Sequence, residues 1–376
     1  MDMKVYWSGT FAPDFSRNRR LARLLELMGA KVTVVRVSLW QPDRMSVARS
    51  GKLHTILRAF VAYPLLAGRL ALLPPPDVYL VSYPGWFDVP FVKVIALLKR
   101  RSLVFDPFIS LHDTMIEDRG MFGPRSWPGR LARLIDRWSL SLADEVIADT
   151  PAHLDLYDRL SPGAAAKGHI IPLGADDQVF SPRKAAVDER LVFFHGSFVP
   201  LQGLESIVRA AALLRASGFR FQIVGDGQTR DETERLAKEL EADNIEFSGA
   251  VPLEALPDLI AGAGICLGIF GTSDKAGRVV PHKLYECLAM GRPVITRHSP
   301  AVDQLLEPGE VQLVPPGDPA ALVGAIRQLS DNPGAREALA ARGLRAYRSR
   351  FHEAALVGLL ESFLSNASSR IGLEPS

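Results

Sequence analysis

GRVVPHKLYECLAMGRPVIT, residues 277–296, reads as one helix running into one strand. Pro281 suits a first helical turn, and Gly291 stands where a helix stops. Between them Leu284, Cys287 and Leu288 recur at i, i+3, i+4, a face that packs inward. RPVIT (292–296) then has the β-branched run of a short strand. The same alternation extends in both directions. Towards the N-terminus of the second half, strands are expected at LVFFHGSF (191–198), FRFQIVGDG (219–227), NIEFSGAV (244–251) and ICLGIF (265–270), with helices between them such as LESIVRAAALLRASG (204–218). In the first half, strands are expected at 3–9, 31–38, 77–83, 102–107, 145–150 and 169–174. Short strands alternating with helices predict parallel sheets, here in two doubly wound halves.

The punctuated, polar segment LGADDQVFSPRKAAVDER (173–190) separates the halves as a linker. The expected organisation is therefore a domain over 1–172, a second over 191–350, and a C-terminal helix within 351–376 that packs back on the first domain and ends in a frayed tail. A chain of 376 residues is long enough for two cores. Charge is unevenly shared. Residues 1–174 hold 23 Lys and Arg against 16 Asp and Glu, a balance of +7; the remainder has 21 against 26, or −5. A basic first half suits phosphorylated or anionic lipid partners. Within it, Arg49, Lys52, Arg58 and Arg69 punctuate the apolar segment 45–73, which suggests contact with a membrane surface. The opening MDMKVYWSGT has no readable signal-peptide core, and no uninterrupted apolar run reaches spanning length. The two cysteines, Cys266 and Cys287, make neither a disulfide framework nor a metal spacing and are expected to be buried and reduced.

Several residues stand where ligands bind an open α/β sheet, outside the carboxyl ends of strands. Gly9, Arg17 and Asn18 follow the first strand. Asp106 lies at the end of the strand at 102–107, and His112, Asp113, Glu117 and Asp118 follow it. Gly196 and Ser197 lie at the end of the strand at 191–198, with Gln202 and Gly203 beyond it, and Gly225 and Gly227 lie at the end of the next one. G-x-G-x-x-G follows neither domain's first strand, which speaks against a nicotinamide enzyme. Lys283 and Glu286 occupy the first turns of a helix whose N-terminus favours anions, and Arg278 lies just upstream with a donor fork suited to phosphate oxygens.

Taken together, IIPLGADDQVFSP, GSFVPLQGLESIVRAAALL, FQIVGDG, NIEFSGAVP and PHKLYECLAMGRPVIT resemble a retaining glycosyltransferase of family 4. The resemblance covers nearly the whole chain. It implies the GT-B architecture, two facing Rossmann-like domains with parallel sheets and a cleft between them. It implies transfer of a sugar from a nucleotide diphosphate sugar, foremost a UDP-sugar, to a hydroxyl acceptor that is a glycan, lipid-linked or a small molecule. No cofactor beyond that co-substrate, no metal and no nucleic acid are expected. Glu286 matches the second Glu of the family's E-x7-E motif and is expected to bind the donor ribose. The first Glu falls on Arg278, and the family's basic pair falls on Ser197 and Gln202. These departures suggest that Arg278 and Lys283 replace the missing cations at the diphosphate. The resemblance further places Gly9, Gly196, Ser197, Gln202, Gly249 and Val251 at the donor. It gives His112, Arg278 and Lys283 catalytic roles, and sets Arg17, Asn18, Asp106 and Asp113 at the acceptor. The expected location is cytoplasmic, with a peripheral place on the inner face of the membrane for cell-envelope glycan synthesis. The alternatives are a degenerate transferase that binds nucleotide sugar without turnover, and an epimerase or phosphorylase of the same fold.

Overall fold

The computed structural model describes residues 3–37, 52–118, 121–123 and 125–369, with the backbone alone for 52–60 and 117–118. Arg49, the side chains of Lys52, Arg58, Glu117 and Asp118, and the tail 370–376 lie outside the described residues. The chain divides into unit 1 (Met1–Ile116, Phe122–Pro172 and Leu356–Ser376) and unit 2 (Glu117–Met121 and Leu173–Ala355).

Unit 1 runs β1 (Lys4–Gly9), α1 (Ser16–Leu27), β2 (Lys31–Arg36), α2 (Lys52–Leu72), β3 (Val78–Ser82), α3 (Val89–Leu98), β4 (Ser102–Asp106), α4 (Trp127–Leu142), β5 (Glu145–Ala148), α5 (Pro151–Leu160) and β6 (Gly168–Ile170). Its six strands are parallel in the order β2-β1-β3-β4-β5-β6, so the direction of winding switches between β1 and β3. β3 and β4 are buried throughout because helices cover both faces of the sheet. One cluster joins Tyr79, Val81 and Phe105 to α2, α3, α4 and α5. The other joins Val5, Trp7 and Leu80 to α1 and to Leu356, Leu360 and Phe363 of the C-terminal helix.

Unit 2 runs β7 (Asp188–His195), α6 (Leu204–Leu213), β8 (Arg220–Val224), α7 (Arg230–Glu239), β9 (Ile245–Ser248), α8 (Leu256–Gly262), β10 (Ala263–Leu267), α9 (Asp274–Arg278), α10 (His282–Ala289), β11 (Val294–Arg297), α11 (Pro300–Leu305), β12 (Gln312–Val314), α12 (Pro319–Asp331) and α13 (Pro333–Ala346). The last helix, α14 (Glu353–Ser369), crosses from unit 2 into unit 1. The order β12-β11-β10-β7-β8-β9 puts the switch between β7 and β10. Helix starts follow their sequence signals. The side chains of Ser126, Thr150, Ser273, Ser299, Asp318 and Asn332 each accept a hydrogen bond from a first-turn amide.

Both doubly wound parallel sheets expected from the alternation are present. Two details differ. β7 begins at Asp188, inside the expected linker, because its first residues stand outside the core and carry no apolar signal. β12 escaped the sequence reading because three residues before Pro315 and Pro316 give no periodicity.

Arg17 and Asp106, expected at the acceptor, lie inside unit 1. Arg17 Nε donates to Asp106 Oδ2 at 2.7 Å, with both side chains at most 1% exposed. Arg17 also donates to the Ile171 carbonyl at 3.0 Å, so one guanidinium ties α1 to the ends of β4 and β6. Asn18 is buried too, donating at 2.7 Å to the carbonyls of both Ala12 and Tyr83. These residues are engaged in holding the carboxyl edge of the sheet. Removing one partner of a buried ion pair strands the other charge, so Arg17→Met is expected to destabilise unit 1 by about 3–5 kcal/mol in urea unfolding.

Candidate functional site

Unit 2 gathers its glycine turns at the switch point. β7 ends at His195, and Gly196 follows with φ +143°. A Cβ on Gly225, at the end of β8, would lie 2.0 Å from the Gly196 carbonyl oxygen. A Cβ on Gly203, φ +66°, would lie 2.3 Å from the Gly271 amide, in the turn after β10. The backbone closes these approaches: Phe270 N donates to Gln202 O at 2.9 Å, and Phe198 N donates to Asp226 O at 2.9 Å. Only glycine allows such contact.

α10 supplies the charges. Its N-cap, Pro281, offers no side-chain hydrogen bond, so the N-terminal turn is not closed by a cap. Lys283 is buried, and its ammonium donates to Gln202 Oε1 at 2.5 Å while lying 3.5 Å from the centroid of the Phe194 ring. It also sits 2.8 Å from where a Gly196 Cβ would be, so this glycine makes room for the cation. His195 Nε2 donates to Glu286 Oε2 at 2.6 Å, which ties the end of β7 to α10. Burial pushes the Glu286 carboxyl up. The hydrogen bond from His195 and the charges of His195, His282 and Lys283 outweigh it and hold the group below the ordinary glutamate range.

The structure thus brings Gly196, Gln202, Lys283 and Glu286 into one constellation. Arg278 is half-buried at the end of α9, and Ser197 is exposed on the turn. Gly249 is exposed after β9, with nothing within 4 Å of a Cβ placed there, and Val251 is half-buried beyond it. His195 was missed. Its signal was its place at a strand end beside Gly196, but a lone histidine in an apolar run reads as core.

The candidates in unit 1 are held by two carboxylates that the sequence reading also missed. A Cβ on Gly9, φ +131°, would lie 2.4 Å from Asp88 Oδ2. Thr10 N donates to that oxygen at 2.7 Å. Burial pushes the Asp88 carboxyl up to about 6, against the hydrogen bonds from Thr10 and Tyr63. The buried Asp136 of α4 accepts from Ser110 Oγ at 2.7 Å and from the amides of Leu111 and His112 at 2.9 Å each. His112 is therefore half-buried on a loop whose backbone is fixed, and Asp113 is buried beside it. Burial pushes Asp136 up to about 6, and those hydrogen bonds oppose it.

The family model described as "Glycosyl transferases group 1" matches residues 189–332, and that described as "Glycosyl transferase 4-like domain" matches residues 14–174. The MMP alpha-(1->4)-mannosyltransferase of Mycolicibacterium hassiacum is 30% identical over 182 residues, 47% of this chain and 43% of that protein. The alpha-D-kanosaminyltransferase of Streptomyces kanamyceticus is 27% identical over 226 residues, 56% of this chain and 57% of that protein. The chain spans about half the length of these curated relatives. Among solved structures, the sucrose-phosphate synthase of Thermosynechococcus elongatus is similar with a TM-score of 0.74 at 19% identity, over 97% of this chain and 99% of that one. Anabaena HepE, solved with UDP and glucose, is similar with a TM-score of 0.68 at 16% identity, over 97% of this chain and 100% of that one. At such identities the likeness speaks for the fold.

The glycine turns differ in how much they depend on glycine. Gly225→Ala meets backbone at a strained φ and is expected to destabilise unit 2 by more than about 1 kcal/mol. Gly249→Ala enters open space and is expected to stay within about 0.5 kcal/mol of the wild type in the same urea titration.

Proposed function

The chain belongs to the group 1 glycosyl transferases, and on that premise we propose that it moves a sugar from a nucleotide diphosphate sugar to a hydroxyl acceptor. The observation that carries the reading is the buried ammonium of Lys283 at the Gly196 turn, one helical turn from the carboxylate of Glu286. Gln202 stands where the family resemblance expects a basic residue, and Gln202 is the residue that receives Lys283. In this proposal α10 delivers to the turn a cation that the turn itself lacks. The diphosphate lies over Gly196, Lys283 meets its charge, and Arg278 is the second cation. Glu286, oriented by His195, accepts from the ribose hydroxyls. HepE, solved with UDP and glucose, supports a UDP-sugar as the donor.

The chemistry follows from where charge develops. As the glycosidic bond to the donor breaks, negative charge grows on the leaving diphosphate. Lys283, Arg278 and the N-terminus of α10 stabilise it without a metal ion. No carboxylate nucleophile is assigned, so retention is read as front-face transfer, in which a leaving phosphate oxygen takes the acceptor hydroxyl's proton. His112 keeps its proposed catalytic role on the loop that Asp136 holds. The acceptor is a hydroxyl of a glycan, a lipid-linked sugar or a small molecule.

Burial pushes the Lys283 ammonium well below the ordinary lysine range, against the opposing pull of Cys287 and Glu286. The unfolded chain then binds more protons than the folded one between the two values. Stability therefore rises with pH towards the unfolded lysine value of about 10.4. Lys283→Met is expected to remove that slope and to stabilise the protein below it. The same variant should lose the thermal stabilisation that the wild type gains from UDP. At a pH within that window, binding of a diphosphate should also take up a proton, seen as a binding enthalpy that varies with the ionisation enthalpy of the buffer. Unchanged UDP stabilisation in both Lys283→Met and Arg278→Ala would reject this donor site.

His195 is a positioning residue in this scheme. His195→Ala is expected to weaken UDP binding about ten-fold, about 1.4 kcal/mol, and His195→Gln to recover part of it by keeping a donor to Glu286. Calorimetric titration of the three proteins decides. The reaction itself is tested by acceptor-dependent release of free UDP from a panel of UDP-sugars.

A further inference from the structure

Unit 1 presents apolar side chains on the outside of its helical layer. On α4, Trp127, Leu131, Leu134 and Trp138 follow at i, i+4, i+7 and i+11, a single stripe along the helix. The two indoles are 75% and 60% exposed and the leucines 45% each. The opposite side of α4, with Ala132, Asp136 and Ser139, is buried. The apolar stripe therefore points away from the core, the reverse of ordinary amphipathic patterning. α3, packed beside α4, exposes Val94, Leu97 and Leu98, and α2, packed beside α3, exposes Val61 and Leu72. Apolar exposure spread over three adjacent helices marks an interaction surface.

A cationic shoulder runs along the stripe. Arg130, Arg133 and Arg137 recur at i, i+3 and i+7, and together with Arg159 of α5 they line an open hollow of about 350 Å³. None of the four meets a carboxylate among the described residues. The only acid of α4, Asp136, is turned inward to the 110–112 loop.

We propose that this face seats unit 1 on an anionic phospholipid bilayer, with the Trp127–Trp138 stripe in the headgroup–acyl boundary and the arginines on lipid phosphates. Exposed tryptophans beside unpaired cations suit that boundary, where one side is apolar and the other charged. A second copy suits it less, because a two-fold contact through the same patch sets arginine against arginine. No helix among the described residues is long and apolar enough to cross a membrane, so the contact is peripheral. α4 also holds the His112 loop through Asp136 on its opposite, buried side, so docking α4 sets that loop about one helix diameter, about 10 Å, from the lipid surface. Combined with the transferase reading, this favours an acceptor hydroxyl carried on a membrane lipid. The docking itself goes beyond that reading and fails separately from it.

The test is co-sedimentation of the whole protein with vesicles of phosphatidylcholine alone and of phosphatidylcholine mixed with phosphatidylglycerol. Binding is expected only with phosphatidylglycerol, weakening as salt is raised. It should fall at least ten-fold in R130Q/R133Q/R137Q and in W127S/W138S. All five side chains are exposed, and unchanged thermal melting by circular dichroism verifies that the variants fold. Should either variant fold poorly, the salt dependence of the wild type and the single substitution W127S read the same contact. The proposal is overturned if the wild type ignores phosphatidylglycerol vesicles, or if binding survives both variants. It is equally overturned if light scattering shows a dimer that W127S/W138S dissolves while vesicles are not bound.

Discussion

Unit 2 depends on backbone meeting backbone where β7, β8 and β10 end. Gly196 and Gly225 approach so closely that a single Cβ would overlap a carbonyl oxygen, and Gly203 meets Gly271 in the same way. With no side chain at these glycines, backbone meets backbone at the ends of the three strands, where the strand order reverses. The rest of the site is arranged around that close approach. α10 reaches it with a cation and holds a carboxylate one turn further on.

Burying Lys283 and Glu286 is costly, and the local structure shows how each is accommodated. Glu286 accepts from His195 and keeps its charge. Lys283 has a neutral amide oxygen and an aromatic face, which offset only part of its lost hydration. The two neighbours on one helix are thus in opposite conditions, one satisfied and one poised to gain from an anion. A group held in a less favourable state until a ligand arrives contributes binding energy at the ligand and withdraws it from the fold.

Unit 1 handles charge differently. Arg17 and Asp106 compensate each other in the core, and Asp88 and Asp136 each gather the amides and hydroxyls of one loop. These carboxylates are brackets that place Gly9 and His112. α4 does two things with its two sides: inward it fixes the His112 loop through Asp136, and outward it presents Trp127 and Trp138.

The sequence by itself determined the class of fold. Short β-branched runs alternate with segments of helical period, and glycine and proline mark most of the joints. It also singled out Lys283, Glu286, Gln202 and Gly196, which the fold brings together, because each lies at a strand end or in the first turns of a helix. It did not reveal His195, since a histidine beside two phenylalanines has no periodic signature, and its partner Glu286 is 91 residues away along the chain. Arg17 and Asp106, set at an acceptor by the family resemblance, pair with each other across 89 residues. The apolar spacing of Trp127, Leu131, Leu134 and Trp138 would mark the inward face of any isolated helix, yet it faces out. Local spacing fixes which residues share a face. Which face meets the core, and which charge meets which partner, depends on contacts between distant segments, and those exist only once the sheets have formed.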